Sequence, residues 1–316
     1  MRAEILRIAI CFACDDRYAP HLGVAVTSIL RSSAPEETFA FYILDGGISD
    51  RNKKRILSLG EAGKAEFAFV AVDNSVFNGL PIPNPNWSAA IYYRLMASRL
   101  IPDEKKIIYL DCDLVVCRSL APLWRFDLGK NAAAGVEDIA ARTHIERLHN
   151  AGYFLSRYVN SGVLLLNQER WRTEKLPDRF FAFMNENRGI LAYPDQDALN
   201  LLLRDDICPL GTEWNTQILG RTAKEDTPCP EAVRNAVIFH YLDRKPWLIG
   251  CLSPLASVYE EFWALSPWKD DCLQFQRQRN RRERRERRRR LFRIRLLGSE
   301  KWIVFFGKTF YHKSDS

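Results

Sequence analysis

Short apolar runs that stop abruptly at polar residues recur along most of the chain. Residues 7–14 are almost entirely apolar and end at Asp15 and Asp16, a pattern typical of a parallel strand buried on both faces. Similar runs follow at 39–44, 66–72 and 107–110, and helical spacing of apolar residues fills 19–33 and the segment from Ser49 to about 62. This alternation predicts an α/β domain with a doubly wound parallel sheet.

The second half continues with strands and helices but is less regular. Three prolines within residues 81–85 exclude regular structure there, because each fixes φ and lacks an amide donor. A helix is predicted at 88–100, with Arg94 on it, whereas the polar stretch 142–152 gives no clear pattern. Further strands are predicted at 132–136, 161–167 and 237–241, and further helices at 177–187 and from Pro194.

Two carboxylates, Asp111 and Asp113, end the apolar run that begins at Ile107. An unpaired charge at the edge of a core is costly, and open α/β sheets bind ligands at the carboxyl ends of their strands. The pair therefore indicates a site for a hard cation such as Mg²⁺ or Mn²⁺, although Asp-x-Asp alone also arises by chance. His240 ends another apolar run. Imidazole suits Mn²⁺ better than Mg²⁺, but His240 taken alone is better explained as a core histidine bonded to a carbonyl.

Three further polar features allow both a structural and a functional interpretation. Residues 195–197 (DQD) open a helix, where they serve as a cap and first-turn acids or as acceptors for sugar hydroxyls. Residues 160–162 (NSG) precede a strand and form either a tight turn or part of a site. Lys245, beside a Pro-Trp pair, is either a surface lysine or a cation for phosphate.

The net charge of +7 is concentrated at one end of the 316-residue chain. Residues 277–316 contain 15 Lys or Arg and 4 Asp or Glu, which is +11, whereas residues 1–276 contain 31 against 35, which is −4. We therefore divide the chain into a globular domain at 1–273 and a basic, aromatic tail at 274–316. No run reaches the ~20 apolar residues of a membrane span, and no signal peptide is expected.

Eight cysteines are scattered through the sequence, and the only Cys-x-x-Cys runs from Cys11 to Cys14 inside a predicted strand. A zinc or redox site would need a second Cys/His pair or a helix N-terminus beside it. We therefore assign these cysteines no site and expect unpaired thiols in a reducing cytosol.

Seven short motifs occur in one order along the chain. They are Ala13–Tyr18 (ACDDRY), Ile43–Ser49 (ILDGGIS), Tyr92–Leu95 (YYRL), Tyr109–Asp113 (YLDCD), Asn160–Asn167 (NSGVLLLN), Asp195–Asp197 (DQD) and His240–Trp247 (HYLDRKPW). In this order they resemble glycosyltransferase family 8, and within it the bacterial lipopolysaccharide and lipooligosaccharide galactosyl- or glucosyltransferases. The resemblance runs from about Ile8 to Trp247. It implies a GT-A fold with a Rossmann-like nucleotide-binding sheet, a UDP-sugar donor, Mn²⁺ and retention at the anomeric carbon.

The resemblance assigns the metal and phosphate contacts residue by residue. Asp111, Asp113 and His240 match metal ligands, with Mn²⁺ expected and Mg²⁺ as the alternative, and Lys245 matches a pyrophosphate contact. Two features depart from the family pattern: Arg17 stands where relatives carry Asn near the uridine, and the loop from His240 to Lys245 is short.

The same resemblance assigns the sugar contacts. Asp15 matches a contact to the nucleoside, and Arg94, Asn160 and Asp195 match contacts to the donor sugar. Ser161 and Gly162 are also predicted to bind the donor. Gln196 matches the residue on the face of the anomeric carbon opposite the leaving group. Asn86 and Trp87 fall in a loop that faces the acceptor in the family.

The predicted function is transfer of galactose or glucose from a UDP-sugar to a lipopolysaccharide core acceptor. A Lewis-acid metal and Lys245 would stabilise the departing diphosphate. Retention by double displacement needs a strong protein nucleophile. Gln196 is neutral and weak, so front-face transfer is favoured, with Asp195 as the alternative nucleophile. The alternative functions are a transferase acting on another glycan or a protein, a nucleotide-sugar-binding protein without catalysis, and a basic-tailed nucleic-acid binder.

The tail predicts attachment to a membrane surface. Arginine-rich residues 277–295 lead into an apolar, aromatic segment at 302–311. Basic residues beside aromatic ones suit an anionic bilayer, each adding roughly 1 kcal/mol. A solvated tail and nucleic-acid binding are the alternatives, but the apolar segment favours the membrane, and no nucleic-acid partner is expected. The predicted partners are a UDP-sugar, a glycolipid acceptor and an anionic membrane bound through residues 277–311 of a partly helical tail. The predicted location is the cytoplasmic face of the inner membrane.

Overall fold

The computed structural model describes residues 5–85, 87–221, 228–248 and 250–271, together with the backbone of three strands in the tail. In the body the strands are β1 Leu6–Cys14, β2 Glu37–Asp45, β3 Ala65–Ala71, β4 Lys106–Leu110, β5 Leu114–Val116, β6 Ala133–Glu137, β7 Val159–Asn167, β8 Ile207–Pro209, β9 Thr216–Ile218 and β10 Ile238–Tyr241. The α-helices are α1 Ala19–Ser32, α2 Asp50–Leu57, α3 Ala97–Leu100, α4 Ala121–Arg125, α5 Ala141–Asn150, α6 Gln168–Thr173, α7 Leu176–Glu186, α8 Pro194–Leu202, α9 Pro230–Asn235 and α10 Ala256–Leu265. Short 3₁₀ helices cover Ser58–Gly60, Asn74–Phe77, Ala89–Met96 and Thr212–Asn215.

The central sheet has seven strands in the order β3-β2-β1-β4-β7-β6-β8 within the described residues. Strands β3, β2, β1 and β4 run parallel to one another, as the alternating pattern predicts. Strand β7 runs antiparallel to both of its neighbours, β4 and β6. The prediction of a fully parallel sheet is therefore wrong on this side. The physical reason is that a short, fully buried apolar run looks the same in either strand direction.

Both faces of the sheet are covered, which explains why its strands are apolar throughout. Alternate residues of β1 point into two different cores: Ile8, Ile10 and Phe12 into one, and Ala9 and Cys11 into the other. Helices α1 and α10 cover the first face. The second is covered by the segment containing the 3₁₀ helix 89–96 and by α6 to α8. With both faces covered, a ligand can approach this sheet at the edge where β1 and β4 end.

A second, three-stranded sheet lies beside the end of β4. Strand β10 pairs antiparallel with β5 and parallel with β9. In this register His240 lies opposite Leu114, the residue that follows Asp113. The pairing therefore brings the end of β10 next to the turn after β4, although 127 residues of sequence separate Asp113 from His240.

Several elements differ from the sequence prediction. The helix predicted at 88–100 is a 3₁₀ helix at Ala89–Met96 followed by one short α-helical turn. The unassigned polar stretch 142–152 is helix α5, whose Leu148 and His144 face inward. No helix among the described residues is long and apolar enough to cross a membrane.

The tail contributes three antiparallel strands, Phe292–Leu297, Glu300–Phe305 and Lys308–Ser314. These segments are extended, and their β-branched and aromatic residues favour strands. The prediction of a partly helical tail also covers residues outside the described ones and stays a prediction. The predicted boundary at 273/274 and the start of the arginine-rich stretch lie outside the described residues, and the two-part division stays a prediction.

Candidate active site

Asp111, Asp113 and His240 converge at the carboxyl end of β4. One ligand atom from each lies within 4.8 Å of the other two, and this is a grouping that can hold a metal ion. His240 Nε2 is 3.1 Å from Asp113 Oδ1 and 3.9 Å from Asp111 Oδ2. The short turn between β4 and β5 carries both carboxylates, and β10 supplies the imidazole. Two carboxylates and one imidazole are a donor set that fits Mn²⁺ well and Mg²⁺ less well.

The orientation of the His240 ring is set by Asn215, a residue that the sequence analysis did not single out. Asn215 Oδ1 lies 3.0 Å from His240 Nδ1, and Asn215 Nδ2 donates to Asn160 Oδ1 at 2.9 Å. A proton on Nδ1, donated to the Asn215 oxygen, would leave the lone pair of Nε2 available to a metal ion. Asn215 ends the 3₁₀ helix 212–215, and no sequence pattern marks this position.

Lys245 also reaches the metal-binding carboxylates. Its Nζ donates to Asp113 Oδ2 at 2.5 Å and to the carbonyl oxygen of Tyr241. Burial opposes ionisation of Asp113, but Lys245 and His240 outweigh it and hold the pKa of Asp113 well below its usual range. Asp113 is therefore fully charged at neutral pH. We refer to Asp111, Asp113, His240 and Lys245 as the metal side of the site.

Arg94 connects this metal side to a second polar group of residues. Its buried guanidinium donates to Asp111 Oδ1 at 2.8 Å and to the carbonyl oxygen of Ser161 at 2.6 Å, and its Nε lies 3.2 Å from Asp195 Oδ2. The guanidinium also packs 4.7 Å from the centre of the Tyr109 ring. Burial opposes the charge, but the carboxylates of Asp111 and Asp195 outweigh it and raise the pKa of Arg94. Arg94 is thus a fixed cation between the two sides.

The second group is formed where β7 begins and α8 begins. Gln196 Oε1 accepts from the amide of Ser161 at 2.9 Å and from Asn160 Nδ2 at 3.3 Å. Asp195 Oδ2 accepts from the Ser161 hydroxyl at 3.1 Å. Burial and the Asp111 charge raise the pKa of Asp195 against the effect of Arg94. We refer to Asn160, Ser161, Asp195, Gln196 and their partner Asp138 as the sugar side.

Asp138 is the second residue that the sequence analysis missed. Its Oδ2 accepts from Asn160 Nδ2 at 2.9 Å and from Gln196 Nε2 at 3.2 Å. Gln217 holds the backbone on both sides of Asp138, accepting from the Ile139 amide and donating to the Glu137 carbonyl, each at 2.8 Å. Burial opposes ionisation, but His144 and Asn160 lower the pKa of Asp138. The strand-end rule that marked Asp111 applies here too, since Asp138 directly follows β6.

Gly162 is placed where no side chain fits. A Cβ atom at this position would lie 2.2 Å from His240 Cε1 and 2.7 Å from Asp111 Oδ2. The Gly162 carbonyl also accepts from the Asp111 amide at 2.8 Å. The absence of a side chain therefore permits β7 to approach the two metal-side residues. A direct contact of Gly162 with the donor stays a prediction.

The remaining predicted residues lie around this centre. Asp15 follows β1, and its Oδ1 accepts from the Tyr18 amide at 3.1 Å, beside the end of β4. The Trp87 ring lies 5.8 Å from the ring of Tyr193, next to the start of α8. Asn86 lies outside the described residues. Asp195 and Asp197 are acidic residues of the first turn of α8, as the structural interpretation predicted, but the N-cap position is occupied by Tyr193.

Asp197 and the Cys-x-x-Cys pair have structural roles. The fully buried Asp197 carboxylate accepts from Arg147 and Tyr158, each at 2.5 Å. Cys11 and Cys14 pack into the cores on opposite faces of the sheet, so they do not form one site. Cys112 Sγ donates to the Ala13 carbonyl at 3.3 Å, which directs this thiol into the core and away from the carboxylates on either side of it.

The fold resembles that of a solved sugar-transferring enzyme. The galactosyltransferase LgtC, in complex with donor and acceptor sugar analogues, is similar over 84% of this chain and 100% of that chain, with 27% identity and a TM-score of 0.71. This likeness confirms the GT-A fold that the sequence motifs imply.

Two relatives extend the comparison. General stress protein A of Bacillus subtilis (strain 168) is 30% identical over 282 residues, which cover 84% of this chain and 95% of that protein. The lipopolysaccharide 1,2-glucosyltransferase of Escherichia coli (strain K12) is 27% identical over 277 residues, which cover 85% of this chain and 80% of the relative. The family profile described as glycosyl transferase family 8 matches residues 9–250. With most of its length covered by that profile and its polar residues gathered at the carboxyl ends of the strands, the chain belongs to glycosyl transferase family 8 and is a glycosyltransferase.

Proposed function

We propose that the protein transfers galactose or glucose from a UDP-sugar to a lipopolysaccharide core acceptor in a metal-dependent reaction. The observation that carries this proposal is the convergence of Asp111, Asp113 and His240, with Lys245 beside them, at the carboxyl end of β4. A diphosphate needs cations at this point, and the site supplies one lysine and the ligands for a metal. The names of the relatives supply the acceptor class, since one acts on lipopolysaccharide.

The proposed metal is Mn²⁺, with Mg²⁺ as the alternative. The two carboxylates and the Nε2 lone pair of His240 are the residues that would hold it. A mixed oxygen and nitrogen donor set favours Mn²⁺, because Mg²⁺ prefers oxygen ligands and water. When bound, the metal would act as a Lewis acid that neutralises charge developing on the departing diphosphate.

Lys245 is proposed to stabilise the same leaving group. Its ammonium is held at the metal side by Asp113, where the diphosphate oxygens would lie. Breaking the bond between sugar and phosphate transfers negative charge to UDP, and a fixed cation stabilises that charge in the transition state. Arg94, held by Asp111 and Asp195, is proposed to orient the donor sugar between the two sides.

The proposed stereochemical outcome is retention through front-face attack. A double displacement needs a free carboxylate nucleophile at the reacting carbon. Gln196 is a neutral amide whose oxygen already accepts from Ser161 and Asn160, and Asp195 is engaged by Arg94 and Ser161. These contacts support a mechanism in which the sugar side binds and orients the hexose. Asp195 is the alternative nucleophile, and trapping of a glycosyl adduct on it would refute front-face transfer.

The donor sugar is proposed to be galactose or glucose because the similar proteins divide between them: LgtC is a galactosyltransferase and the Escherichia coli relative is a glucosyltransferase. The two sugars differ at one epimeric hydroxyl.

The proposed site of action is the cytoplasmic face of the inner membrane, with the basic tail at residues 277–311 on anionic lipid. Removal of the residues after Asp271 is expected to release the protein from anionic vesicles and to leave donor hydrolysis intact.

A screen of UDP-sugars for Mn²⁺-dependent release of UDP tests the proposal. Wild-type protein is expected to hydrolyse UDP-galactose or UDP-glucose slowly without acceptor, and Asp113→Asn is expected to abolish this release. Exposed Asp205→Asn provides the matched carboxylate control, since its side chain is 89% exposed. UDP-sugar binding without turnover in Mn²⁺, by wild-type protein, would favour a nucleotide-sugar-binding protein instead.

A further inference from the structure

The loop that carries Lys245 is fixed by an aromatic cluster that the proposed chemistry does not use. The Trp247 indole, two residues beyond Lys245, stacks flat on the His21 imidazole, with centroids 3.6 Å apart and an interplanar angle of 14°. The Tyr259 ring lies 5.1 Å from Trp247, and its hydroxyl is 2.7 Å from His21 Nδ1. We refer to His21, Trp247 and Tyr259 as the His21 cluster.

The His21 cluster joins three segments that are distant in sequence. His21 lies on α1 and is 7% exposed, and Tyr259 lies on α10 and is fully buried. Trp247 comes from the loop after β10, between these two helices. Helix α1 supplies none of the predicted donor contacts, so His21 has no direct part in the proposed reaction. Its contact with Trp247 instead ties the lysine loop to the covered face of the sheet.

A buried histidine at this position costs more free energy than an apolar ring would, which indicates that the orientation of its ring matters. A buried polar ring costs free energy unless its nitrogens are bonded, and an apolar ring would fill the same space without that requirement. Burial, with the nearby Lys245 charge, lowers the pKa of His21 to about 3 despite the opposing effect of Asp113. The ring is therefore neutral at pH 7. The hydrogen bond to the Tyr259 hydroxyl fixes the rotation of the His21 ring, and the fixed ring defines the plane on which Trp247 stacks.

Lys245 needs such a support because its side chain is long and flexible. An ammonium on four methylenes has little intrinsic orientation, so its place depends on the backbone that carries it as well as on its bonds to Asp113 and to the Tyr241 carbonyl. That backbone is a tight turn: the Lys245 amide donates to the Asp243 carbonyl at 3.0 Å, and the Leu248 amide donates to the Lys245 carbonyl at 2.9 Å. Pro246 fixes φ between Lys245 and the stacked Trp247. The stack therefore fixes the turn together with the backbone bonds from Leu242 to Ile218 and from Arg244 to Leu219.

We infer that His21 and Tyr259 are positioning residues that, through Trp247, hold Lys245 against the diphosphate of the donor. This inference rests on the proposed function, because it requires a diphosphate at the metal side. It assigns to residues outside the seven family-like motifs a share in leaving-group stabilisation.

A double-mutant cycle on UDP affinity tests the inference. Binding of UDP is measured by calorimetry in Mn²⁺, and binding of uridine by ligand-observed NMR, for wild type, His21→Ala, Lys245→Ala and the double variant. His21→Ala is expected to weaken UDP binding about tenfold, the scale of one charge-assisted hydrogen bond, and to leave uridine binding unchanged. In the Lys245→Ala background the His21 substitution is expected to cause no further loss.

Two further variants distinguish a specific effect on Lys245 from a general loss of stability. Tyr259→Phe keeps the ring and removes only the hydroxyl that orients His21, and it is expected to weaken UDP binding in the same direction by a smaller factor. Phe41→Leu perturbs a buried ring stacked on Phe39 and Phe67 and is expected to lower stability without changing the ratio of UDP to uridine affinity.

The outcomes separate the inference from the proposed function. The inference would be overturned if His21→Ala weakened the binding of UDP and of uridine equally, or if it caused its full loss of UDP affinity in the Lys245→Ala background as well. In either case, UDP binding by the wild-type protein would still support the proposed site. Failure of wild-type protein to bind UDP in Mn²⁺ would refute the proposed function and the inference together.

Discussion

The metal side and the sugar side meet at Arg94 but are built differently. The metal side takes charged residues from the ends of β4 and β10 and from one short loop, and its charges face one another directly. The sugar side is a network of hydrogen bonds in which Gln196 accepts from the Ser161 amide and donates to Asp138. The position of a carboxylate or imidazole on the metal side follows from the end of its strand. The orientation of the Gln196 side-chain amide depends on hydrogen-bond partners from several elements. Substitutions should therefore affect the two sides through different mechanisms.

Removal of Arg94 is expected to have the largest effect, because it breaks both sides at once. Arg94→Ala leaves the Asp111 and Asp195 carboxylates without their buried partner, and loss of one partner of a buried ion pair costs about 3–5 kcal/mol of unfolding free energy. Urea unfolding measures this loss, and added Mn²⁺ should restore part of it by neutralising Asp111. Arg99→Ala, in an ion pair with 47% and 61% exposed side chains, is the control and should cost less than about 1 kcal/mol. Equal losses in both variants would contradict the account.

Addition of a methyl group at Gly162 is expected to break the metal side alone. The new Cβ would clash with His240 and Asp111, and displaced ligands should lower Mn²⁺ affinity by about 10–100-fold, as loss of a ligand's support does. Calorimetric titration with Mn²⁺ measures the change. Gly189→Ala is the matched control, because a Cβ there meets no atom within 4 Å. Normal Mn²⁺ binding by Gly162→Ala would show that the metal lies elsewhere.

Substitution of Asp138 is expected to break the sugar side alone. Asp138→Asn replaces an acceptor of the Gln196 and Asn160 amides by a group that also donates, so the Gln196 amide loses its fixed orientation. A misplaced positioning group lowers kcat, here by about tenfold, which is less than the ~10²-fold cost of a 1 Å displacement in an active site. Steady-state kinetics and Mn²⁺ titration should show a lower kcat with unchanged metal affinity. A parallel loss of Mn²⁺ affinity would mean that the two sides are not separable.

The stability of the fold is expected to depend on pH through His21. Unfolded His21 takes up a proton below its ordinary pKa of about 6.5, whereas the folded residue does so only near a pKa of about 3. The unfolded state therefore binds more protons in between, and stability falls as pH decreases through this window by up to about 1.4 kcal/mol per pH unit. His21→Phe keeps an aromatic ring for the stack but has no group that takes up a proton in this pH range.

Urea unfolding of wild type and His21→Phe at several pH values between 7 and 4 measures this effect. The Lys245 and Asp113 charges that face His21 are present in both proteins, so they cancel in the difference. The wild-type curve should fall more steeply below pH 6.5 than that of the variant. Parallel curves would show that His21 is not held neutral in the folded state.

Much of the metal side was predictable because Asp111, Asp113 and His240 follow or end apolar runs, whereas Lys245 lies in the loop after β10. Asp111, Asp113 and His240 were visible as polar residues at strand ends, and the structure brings them together. The direction of β7 was not predictable, since its buried run has no directional signature. Asn215 and His21 were missed because their roles depend on contacts with residues far away in sequence. Cys112 lies between two candidate ligands, but its thiol points into the core, so sequence proximity alone would have misplaced it.

The sugar side was predicted from a resemblance rather than from physical pattern. Gln196 and Asp195 open a helix like many polar pairs, and nothing local distinguishes a hydrogen-bonded network from a solvated first turn. Asp138 satisfied the strand-end rule and could have been found by applying that rule to every strand. The position of Trp87 beside Tyr193 depends on the irregular loop after residue 80, for which sequence patterns predict no geometry.

The central claim is that the ends of β4 and β10 form a metal and diphosphate site. Electron paramagnetic resonance of Mn²⁺, titrated with protein in the presence and absence of UDP, tests it most directly. Wild-type protein is expected to bind Mn²⁺ more tightly when UDP is present, and Asp113→Asn is expected to lose this binding. Unchanged Mn²⁺ binding by Asp113→Asn, or wild-type binding that UDP does not strengthen, would contradict the claim.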